Sequence, residues 1–360
     1  MGTATLQINL AALRNNHAAL NALTSSATET AAVVKADGYG LGASQVAAAL
    51  YSGGVKTFFV AAAEEGMAVR QVCTDAGIYV FSGYMRHDAA YYRDAELLPL
   101  LNSPEQLMHW KTDMGGRAFG MQLDSGMNRL GFEPEEFSTV HSDAVDSTLL
   151  ISHLACADEP EHAMNPAQIK AFKTMTDSLA REHNVPRSLA ATGGTLLGSE
   201  YHFDIVRPGI GLYGGLPFVD AEPVVTLTLP VIQSRRVKQG ETVGYGAAWT
   251  AGKDTRVATL AAGYADGIIR AMSTITCNSG GNKSAEATPL NLYADGKPCP
   301  MIGRVSMDMV TVDITSLDGE PETMDLLNAE QTVDDLAARA GTIGYEILTA
   351  CGTRYARSYV

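Results

Sequence analysis

"TAAVVKADGYGLGASQVAAALYSGGVKTFFVAA", residues 30–62, joins two short apolar runs through a glycine-rich turn and a segment with helical spacing. Short apolar strands that alternate with helices are typical of parallel sheets, whose strands are buried on both faces. The alternation continues along the chain. The predicted strands are 30–34, 57–62, 78–83, 98–102, 118–123, 147–153, 187–192 and 203–207.

Eight strands in about 180 residues predict a (β/α)8 barrel. A doubly wound open sheet is the alternative that the same pattern allows. From about residue 226 the sequence changes to β-rich runs separated by turn residues, and only 333–341 reads clearly as a helix. We therefore predict two domains, an α/β barrel over 1–225 and a mostly β domain over 226–360.

The composition excludes several classes of protein. A formal net charge of −14 argues against non-specific nucleic-acid binding, which needs faces rich in lysine and arginine. No run reaches the roughly 18 apolar residues of a membrane span. The opening "MGTATLQINL" has no basic segment leading into an apolar run. We expect a cytoplasmic protein that binds neither nucleic acid nor membrane.

The cysteines give no sign of a disulfide framework or a zinc site, so no metal site is expected. Their number is odd and no pair has CxxC spacing, which favours reduced thiols. They are Cys73, Cys156, Cys277, Cys299 and Cys351.

Polar side chains close the apolar runs of the predicted barrel. Catalytic groups of such barrels collect at the carboxyl ends of the strands, so we expect these side chains to line one polar mouth. The strand ends carry Lys35, Gln122, His153, Thr192 and Arg207, and Asp124, Ser125 and Arg129 lie just beyond the fifth strand.

Lys35 follows the first barrel strand and precedes a turn that contains Tyr39. A lone lysine is commonly a surface residue with an apolar stem. An amine in a partly dry pocket, however, has a lowered pKa and can form a Schiff base. Glycine-rich turns at 38–42, 191–195 and 207–215 let backbone N–H groups approach an anion, although tight turns alone would also explain them. A lysine, an arginine and phosphate-type loops in one mouth suggest pyridoxal phosphate.

Seven motifs, in order along nearly the whole chain, resemble those of the fold-type III, pyridoxal-phosphate-dependent alanine racemases. The resemblance implies pyridoxal 5′-phosphate as cofactor and a homodimer in which the β domain contributes to the partner's active site. The motifs are "VVKADGYGLGA" (33–43), "LDSGMNRLGF" (123–132), "SHLACADE" (152–159), "VRPGIGLYGG" (206–215), "GYADG" (263–267), "IGRVSMDM" (302–309) and "TIGYEIL" (342–348).

By position, the resemblance implies that Lys35 holds the cofactor covalently. Arg207 would face the pyridine nitrogen, and because a guanidinium does not readily give up a proton, the ring would be a weaker electron sink. That favours simple reprotonation over side reactions. Many family members have Asn-Ser where this chain has Ala191 and Thr192, so a hydroxyl is kept and an amide is lost. The further cofactor-binding positions are Tyr39, His153, Thr192, Gly209, Ile210 and Tyr345.

Racemisation needs proton-transfer groups on opposite faces of a planar intermediate. The resemblance implies Lys35 and Tyr264 as these two catalytic bases, with Tyr264 reaching in from the partner subunit. His153, with Arg207 behind it, is the candidate for favouring the phenolate form of Tyr264 by hydrogen bonding.

The resemblance also implies the substrate-binding residues. Arg129 would hold the substrate carboxylate, while Met307 and Asp308 would come from the partner subunit. Many alanine racemases carry a lysine, carbamylated by carbon dioxide, where this chain has Gln122. A primary amide cannot be carbamylated, so either its carbonyl accepts a hydrogen bond from Arg129 or a small anion such as chloride takes the place of the carbamate.

The implied function is the interconversion of L-alanine and D-alanine, which supplies D-alanine for peptidoglycan. A broader racemase that acts on serine or other amino acids is the alternative, and pocket volume would separate the two. A non-catalytic barrel protein would lack the C-terminal domain with a second base. A fold-type III decarboxylase would carry a catalytic cysteine in a different motif.

Overall fold

A computed structural model describes residues 4–273 and 289–360 of the chain. By their contacts these residues divide into two compact units. The first unit, Ala11–Glu222, is called the barrel unit below. The second, called the β unit, comprises the described residues of Met1–Leu10 and Pro223–Val360.

The elements are numbered in chain order. The strands are β1 Thr5–Ile8, β2 Glu29–Thr30, β3 Ala32–Val33, β4 Thr57–Val60, β5 Gly77–Val80, β6 Leu98–Leu101, β7 Gly120–Gln122, β8 Leu150–Ile151, β9 Arg187–Ser188, β10 Ile205–Val206, β11 Val225–Val237, β12 Thr242–Val243, β13 Trp249–Thr250, β14 Thr255–Leu260, β15 Asn291–Ala294, β16 Lys297–Ile302, β17 Val310–Asp313, β18 Thr323–Leu327 and β19 Ala356–Tyr359. The helices are α1 Leu10–Ala22, α2 Lys35–Tyr39, α3 Ala43–Ser52, α4 Ala63–Val72, α5 Ala89–Asp94, α6 Pro104–Met114, α7 Pro134–Thr139, α8 His141–Ala144, α9 Met164–His183, α10 Thr192–Leu197, α11 Val333–Ala340 and α12 Gly344–Thr349.

Seven parallel strands of the barrel unit form one sheet in the order β3-β4-β5-β6-β7-β8-β9. The strand β10 joins both edges of this sheet. On one side the Arg207 amide donates to the Ala190 carbonyl (2.8 Å), and on the other the Val33 amide donates to the Pro208 carbonyl (3.0 Å). The strands therefore close into a barrel, which confirms the predicted (β/α)8 fold and excludes the open doubly wound sheet.

The barrel strands are short and apolar because the fold buries them on both faces. All four residues of β4 are buried, as are both residues of β3. Amphipathic helices cover the outer face, and α9, for example, buries Ile169, Phe172 and Leu179. The carboxyl ends of the parallel strands consequently meet at one end of the barrel, where the predicted polar side chains follow.

Six antiparallel strands of the β unit form a closed ring in the order β11-β14-β17-β16-β15-β18, because β11 pairs with both β14 and β18. The strand β11 can do so because it has 13 residues, with an irregularity in its register at Val231 and Gln233. The mostly β second domain is thus confirmed. The helix predicted at 333–341 is observed as α11, whereas α12 was not predicted.

The strand β1 belongs to the β unit, where it pairs antiparallel with β11 and parallel with β19. The predicted first domain, 1–225, includes this strand, so the structure divides the start of the chain differently. The partner of Thr5 is Thr228. A four-residue strand carries no local sign of so distant a partner, which is why the sequence pattern did not separate it from the barrel.

In residues 4–273 and 289–360, no helix combines the length and the apolar character needed to cross a membrane. Across the same residues, no group of three or more His, Cys, Asp and Glu side chains could hold a metal ion. Four cysteines are free thiols, and Cys277 lies outside the described residues. The free thiols are Cys73, Cys156, Cys299 and Cys351.

Candidate active site

The segment α2 is a left-handed turn rather than a regular α-helix, and it links Lys35, at the carboxyl end of β3, to Tyr39. Each non-glycine residue in this conformation costs ~1–2 kcal/mol, so neighbouring contacts must hold the turn. One such contact is the hydrogen bond from the Ala43 amide to Asp37 Oδ1, 2.8 Å long. The left-handed residues are Ala36 (φ 53°), Asp37 (54°), Gly38 (62°), Tyr39 (57°) and Gly40 (81°).

Lys35 is half-buried, and its Nζ lies 5.8 Å from the centre of the Phe81 ring. Burial lowers the pKa of Lys35, the positive charge of Arg129 lowers it further, and the carboxylate of Glu65 acts in the opposite direction. An amine with a lowered pKa is unprotonated for a larger share of the time. Lys35 is therefore suited to attack a carbonyl group.

Tyr39 contributes a hydroxyl to the glycine loop that follows β10. Its ring stacks on Tyr213 with the centroids 4.4 Å apart, and its hydroxyl lies so close to Gly209 that a Cβ there would overlap it. The Thr192 hydroxyl oxygen accepts from the amides of Gly209 (3.0 Å) and Gly211 (3.2 Å), so its own proton can be donated elsewhere. Two hydroxyl groups thus converge on one glycine loop, which suits an anion with several oxygen atoms.

Arg207 is a buried arginine, with 2% of its surface exposed. Its guanidinium donates to Ser188 Oγ and to the Ser152 carbonyl, the latter at 2.8 Å. Among the described residues no carboxylate lies within ion-pair distance of it. Burial lowers the pKa of Arg207 to about 9, so the guanidinium remains a cation and a donor at neutral pH.

His153 lies in the same positively charged mouth. Burial, followed by the charges of Arg207, Arg129 and Lys35, lowers the pKa of His153 to about 3. The imidazole is therefore neutral at physiological pH and can donate from one ring nitrogen while accepting at the other. Such a group can support a neighbouring phenolate by donating a hydrogen bond without adding a positive charge.

Gln122, buried at the end of β7, supports the loop that carries Arg129. Its Nε2 donates to the Leu130 carbonyl at 3.2 Å. In the part of the chain that the structure describes, Gln122 and Arg129 are not hydrogen-bonded to each other. Of the two alternatives, a hydrogen bond from Arg129 to the amide carbonyl of Gln122 is therefore not observed, and the small anion stays a prediction. The exposed Arg129 side chain extends from a loop whose backbone is bound by Gln122.

The β unit presents Tyr264 and Met307 side by side on its surface. The Tyr264 amide donates to the Ser306 carbonyl (2.9 Å), and the Ala265 amide donates to the Met307 carbonyl (2.9 Å). A Cβ at Gly263 would overlap the same two carbonyl groups, so only glycine allows the loops to approach this closely. Tyr264 is 43% exposed and Met307 is 54% exposed.

Arg354 ties these two loops together and was not predicted from the sequence. Its Nη1 donates to Asp308 Oδ1 (2.8 Å), and its Nε lies 3.1 Å from Asp266 Oδ1. The other carboxylate oxygen of Asp266 accepts from the Gly263 amide. Asp308, expected to shape the site, is thus placed by an ion pair. Arg354 lies outside the motifs that carried the resemblance, so nothing in its local sequence marked it.

Each unit holds its own share of the predicted site residues. Ile210 is 1% exposed at the start of a 3-10 turn after β10, and Tyr345 is 38% exposed in α12. The barrel unit carries Lys35, Tyr39, Arg129, His153, Thr192, Arg207, Gly209 and Ile210, and the β unit carries Tyr264, Met307, Asp308 and Tyr345.

Comparison with known proteins gives two family matches that together span nearly all of the chain. The family model described as "Alanine racemase, N-terminal domain" matches residues 8–217, and "Alanine racemase, C-terminal domain" matches residues 224–359. The alanine racemase of Cereibacter sphaeroides is 53% identical over 362 residues, which cover 100% of this chain and 99% of that protein. The alanine racemase of Jannaschia sp. is 52% identical, with 99% of each chain covered.

Solved structures agree with these matches. The alanine racemase of Bartonella henselae, crystallised with covalently bound pyridoxal phosphate, superposes with a TM-score of 0.89 at 32% identity and with both chains fully covered. Alanine racemase from Streptomyces coelicolor gives a TM-score of 0.90 at 30% identity, covering 99% of this chain and 98% of that chain.

Proposed function

The chain belongs to the alanine racemase family, and on that premise we propose that it interconverts L-alanine and D-alanine with pyridoxal 5′-phosphate as cofactor. The observation that carries the proposal is Lys35. Its amine lies at the carboxyl end of a barrel strand, and burial and a neighbouring arginine lower its pKa. That is the position and the chemistry required of a lysine that binds a carbonyl cofactor.

The residues of the barrel unit fit this cofactor. The hydroxyls of Tyr39 and Thr192 meet at Gly209, where an added Cβ would fill the space, and they would hold the phosphate. Arg207, a buried cation with no carboxylate partner among the described residues, would donate to the ring nitrogen. When bound, pyridoxal phosphate supplies a conjugated ring that delocalises the electron pair left by removal of the α-proton.

Lys35 and Tyr264 would move the α-proton on opposite faces of the substrate, each acting as base in one direction and as acid in the other. The neutral imidazole of His153 would donate a hydrogen bond to the phenolate of Tyr264. Arg129 would hold the substrate carboxylate, assisted by the backbone N–H of Met307. The exposed positions of Tyr264 and Met307 support a homodimer in which each subunit lends these residues to the other.

We further propose that the D-alanine formed serves peptidoglycan synthesis, as the family relationship suggests. Growth of a D-alanine-requiring bacterium that expresses this chain, compared with the Lys35→Ala variant, tests that role. The cytoplasmic location stays a prediction.

Lys35→Ala should lower racemisation in both directions by at least ~10³-fold, because one proton-transfer group and the covalent anchor are lost together. Borohydride reduction followed by peptide mass spectrometry should find the cofactor on Lys35 in the wild-type protein and on no lysine in the variant. Lys170→Ala, an exposed lysine of α9, is the matched control and should behave as wild type.

A Lys35→Ala variant that keeps wild-type activity, or a cofactor adduct on another lysine, would contradict the proposal. A panel of L-amino acids that includes serine decides between the alanine enzyme and a broader racemase. Comparable kcat/KM values for alanine and serine would favour the broader activity.

A further inference from the structure

We propose that Glu65 is a positioning residue that holds the left-handed turn between Lys35 and Tyr39, and so fixes the spacing between the amine and the hydroxyl that bind the cofactor. This inference rests on the proposed function, because it concerns the same cofactor site. Neither the motifs nor the predicted roles include Glu65, which lies in the first turn of α4.

The carboxylate of Glu65 joins the ends of two neighbouring barrel strands. Its Oε1 accepts from the Ala36 amide (2.7 Å), just after β3, and its Oε2 accepts from the Ala61 amide (2.7 Å), just after β4. These strands are hydrogen-bonded to each other, as the bond from the Val34 amide to the Phe59 carbonyl (2.9 Å) shows. Glu65 therefore extends the pairing of β3 and β4 by one step, at the point where the backbone turns left-handed.

The two ends of the turn are held by different carboxylates. Glu65 binds the amide of its first left-handed residue, Ala36, and Asp37 Oδ1 binds the Ala43 amide, where α3 begins. Tyr39, inside the turn, is packed against Tyr213. Because the strained segment is fixed at its start and at its exit, the backbone positions of Lys35 and Tyr39 are held relative to each other.

The charge of Glu65 has a second effect at the same place. Among residues 4–273 and 289–360, the charged or titratable groups that act on Lys35 or respond to its charge are Glu65, Arg129 and His153. Glu65 is the anion of this set, and it raises the pKa of Lys35 against the effects of burial and of Arg129. Loss of the carboxylate should therefore loosen the turn and lower the pKa of Lys35 still further.

Two substitutions separate these effects. Glu65→Gln removes the charge and leaves only one oxygen to accept the two amides. Glu65→Asp keeps the charge but is one methylene shorter and cannot reach both amides. The matched control is Glu64→Gln, which changes the exposed neighbouring carboxylate in the same helical turn.

Two measurements on the full-length protein test the proposal. In cofactor-free protein, competitive labelling with an amine-reactive reagent, read at Lys35 by mass spectrometry, gives the pH at which this amine titrates. Glu65→Gln should shift that titration to lower pH, and Glu65→Asp should shift it less. Added pyridoxal 5′-phosphate should bind both Glu65 variants about tenfold more weakly, the change expected from one lost charge-assisted hydrogen bond, and should bind Glu64→Gln as it binds wild type.

Unchanged Lys35 titration and cofactor affinity in Glu65→Gln would overturn the inference. If Glu65→Gln does not fold, Glu65→Asp decides, because wild-type cofactor affinity in that variant would show that the paired hydrogen bonds do not position the turn. Failure of the proposed function has a different signature, since the wild-type protein itself would then not bind the cofactor at Lys35.

Discussion

The lowered pKa of His153 predicts how the stability of the protein depends on pH. A histidine in an unfolded chain titrates near pH 6.5, whereas burial and the nearby cations lower the pKa of His153 in the folded protein to about 3. Between these values the unfolded state binds more protons, so the contribution of His153 to stability is present above about pH 6.5 and is lost as the pH falls toward 3. Denaturant unfolding at pH 7.5, 5.5 and 4.5 should show a shallower pH dependence for His153→Asn than for wild type.

His183→Asn is the control, because His183 is exposed at the end of α9 and should leave the pH dependence as it is in wild type. If the stability of wild type and of His153→Asn changes equally with pH, His153 is not held neutral in the folded protein.

Individual site residues were predictable from the sequence where they directly follow a predicted strand. Lys35 and Arg207 stand where an apolar run stops, and a barrel brings all such positions to one rim. Glu65 and Arg354 were not predictable in this way. Glu65 accepts hydrogen bonds from backbone amides, and because nearly every residue carries such an amide, the sequence does not mark the partners. Arg354 forms ion pairs with Asp266 and Asp308, and these two residues come close together only when the β unit folds.

The close packing of the glycine loop after β10 against Tyr39 leads to a second prediction. An alanine Cβ at Gly209 would overlap the Tyr39 hydroxyl. Gly209→Ala should weaken binding of pyridoxal phosphate by about tenfold or more and lower the Tm, because the overlapping atoms must separate. In a Tyr39→Phe background the same substitution should lower the cofactor affinity and the Tm by less, because the overlapping oxygen is absent.

Isothermal titration and thermal unfolding of the four proteins in this double-mutant cycle measure the coupling. Gly252→Ala, at a glycine whose added Cβ would meet nothing within 4 Å, is the control. If the changes that Gly209→Ala and Tyr39→Phe cause in binding and in thermal unfolding are additive, the hydroxyl and the loop do not depend on each other.

Whole elements were predicted well where the pattern repeats. The barrel strands were predicted because each is a short apolar run followed by a helix or turn, and the repeated pattern supports the assignment of each strand. The strand β1 and the helix α12 were not predicted from the sequence, for different reasons. The partners of β1 are distant in sequence, and α12 has six residues, too few to show a helical period.

The proposed shared site makes a prediction about the assembled molecule. Lys35→Ala and Tyr264→Phe should each be nearly inactive alone. When the two variants are mixed under conditions that exchange subunits, half of the dimers contain one of each, and each such dimer has one intact site if Tyr264 serves the partner. Activity should therefore recover to about a quarter of the wild-type value per subunit.

Racemase assays before and after exchange, with a light-scattering measurement of mass, test this expectation. No recovery from a demonstrably mixed dimer would show that Lys35 and Tyr264 act within one chain. Full activity from a demonstrably monomeric wild-type protein would exclude the shared site altogether.

The place of β1 between β11 and β19 has a consequence for biosynthesis. A ribosome makes β1 first, then the whole barrel unit, and only afterwards the two strands with which β1 pairs. The barrel unit is contiguous in sequence and can begin to fold while the chain is still being translated. The sheet that holds β1 is complete only after β19 has left the exit tunnel. Until then a nascent chain carries an unpaired strand ahead of a folded domain, and an exposed strand of this kind can pair with other chains.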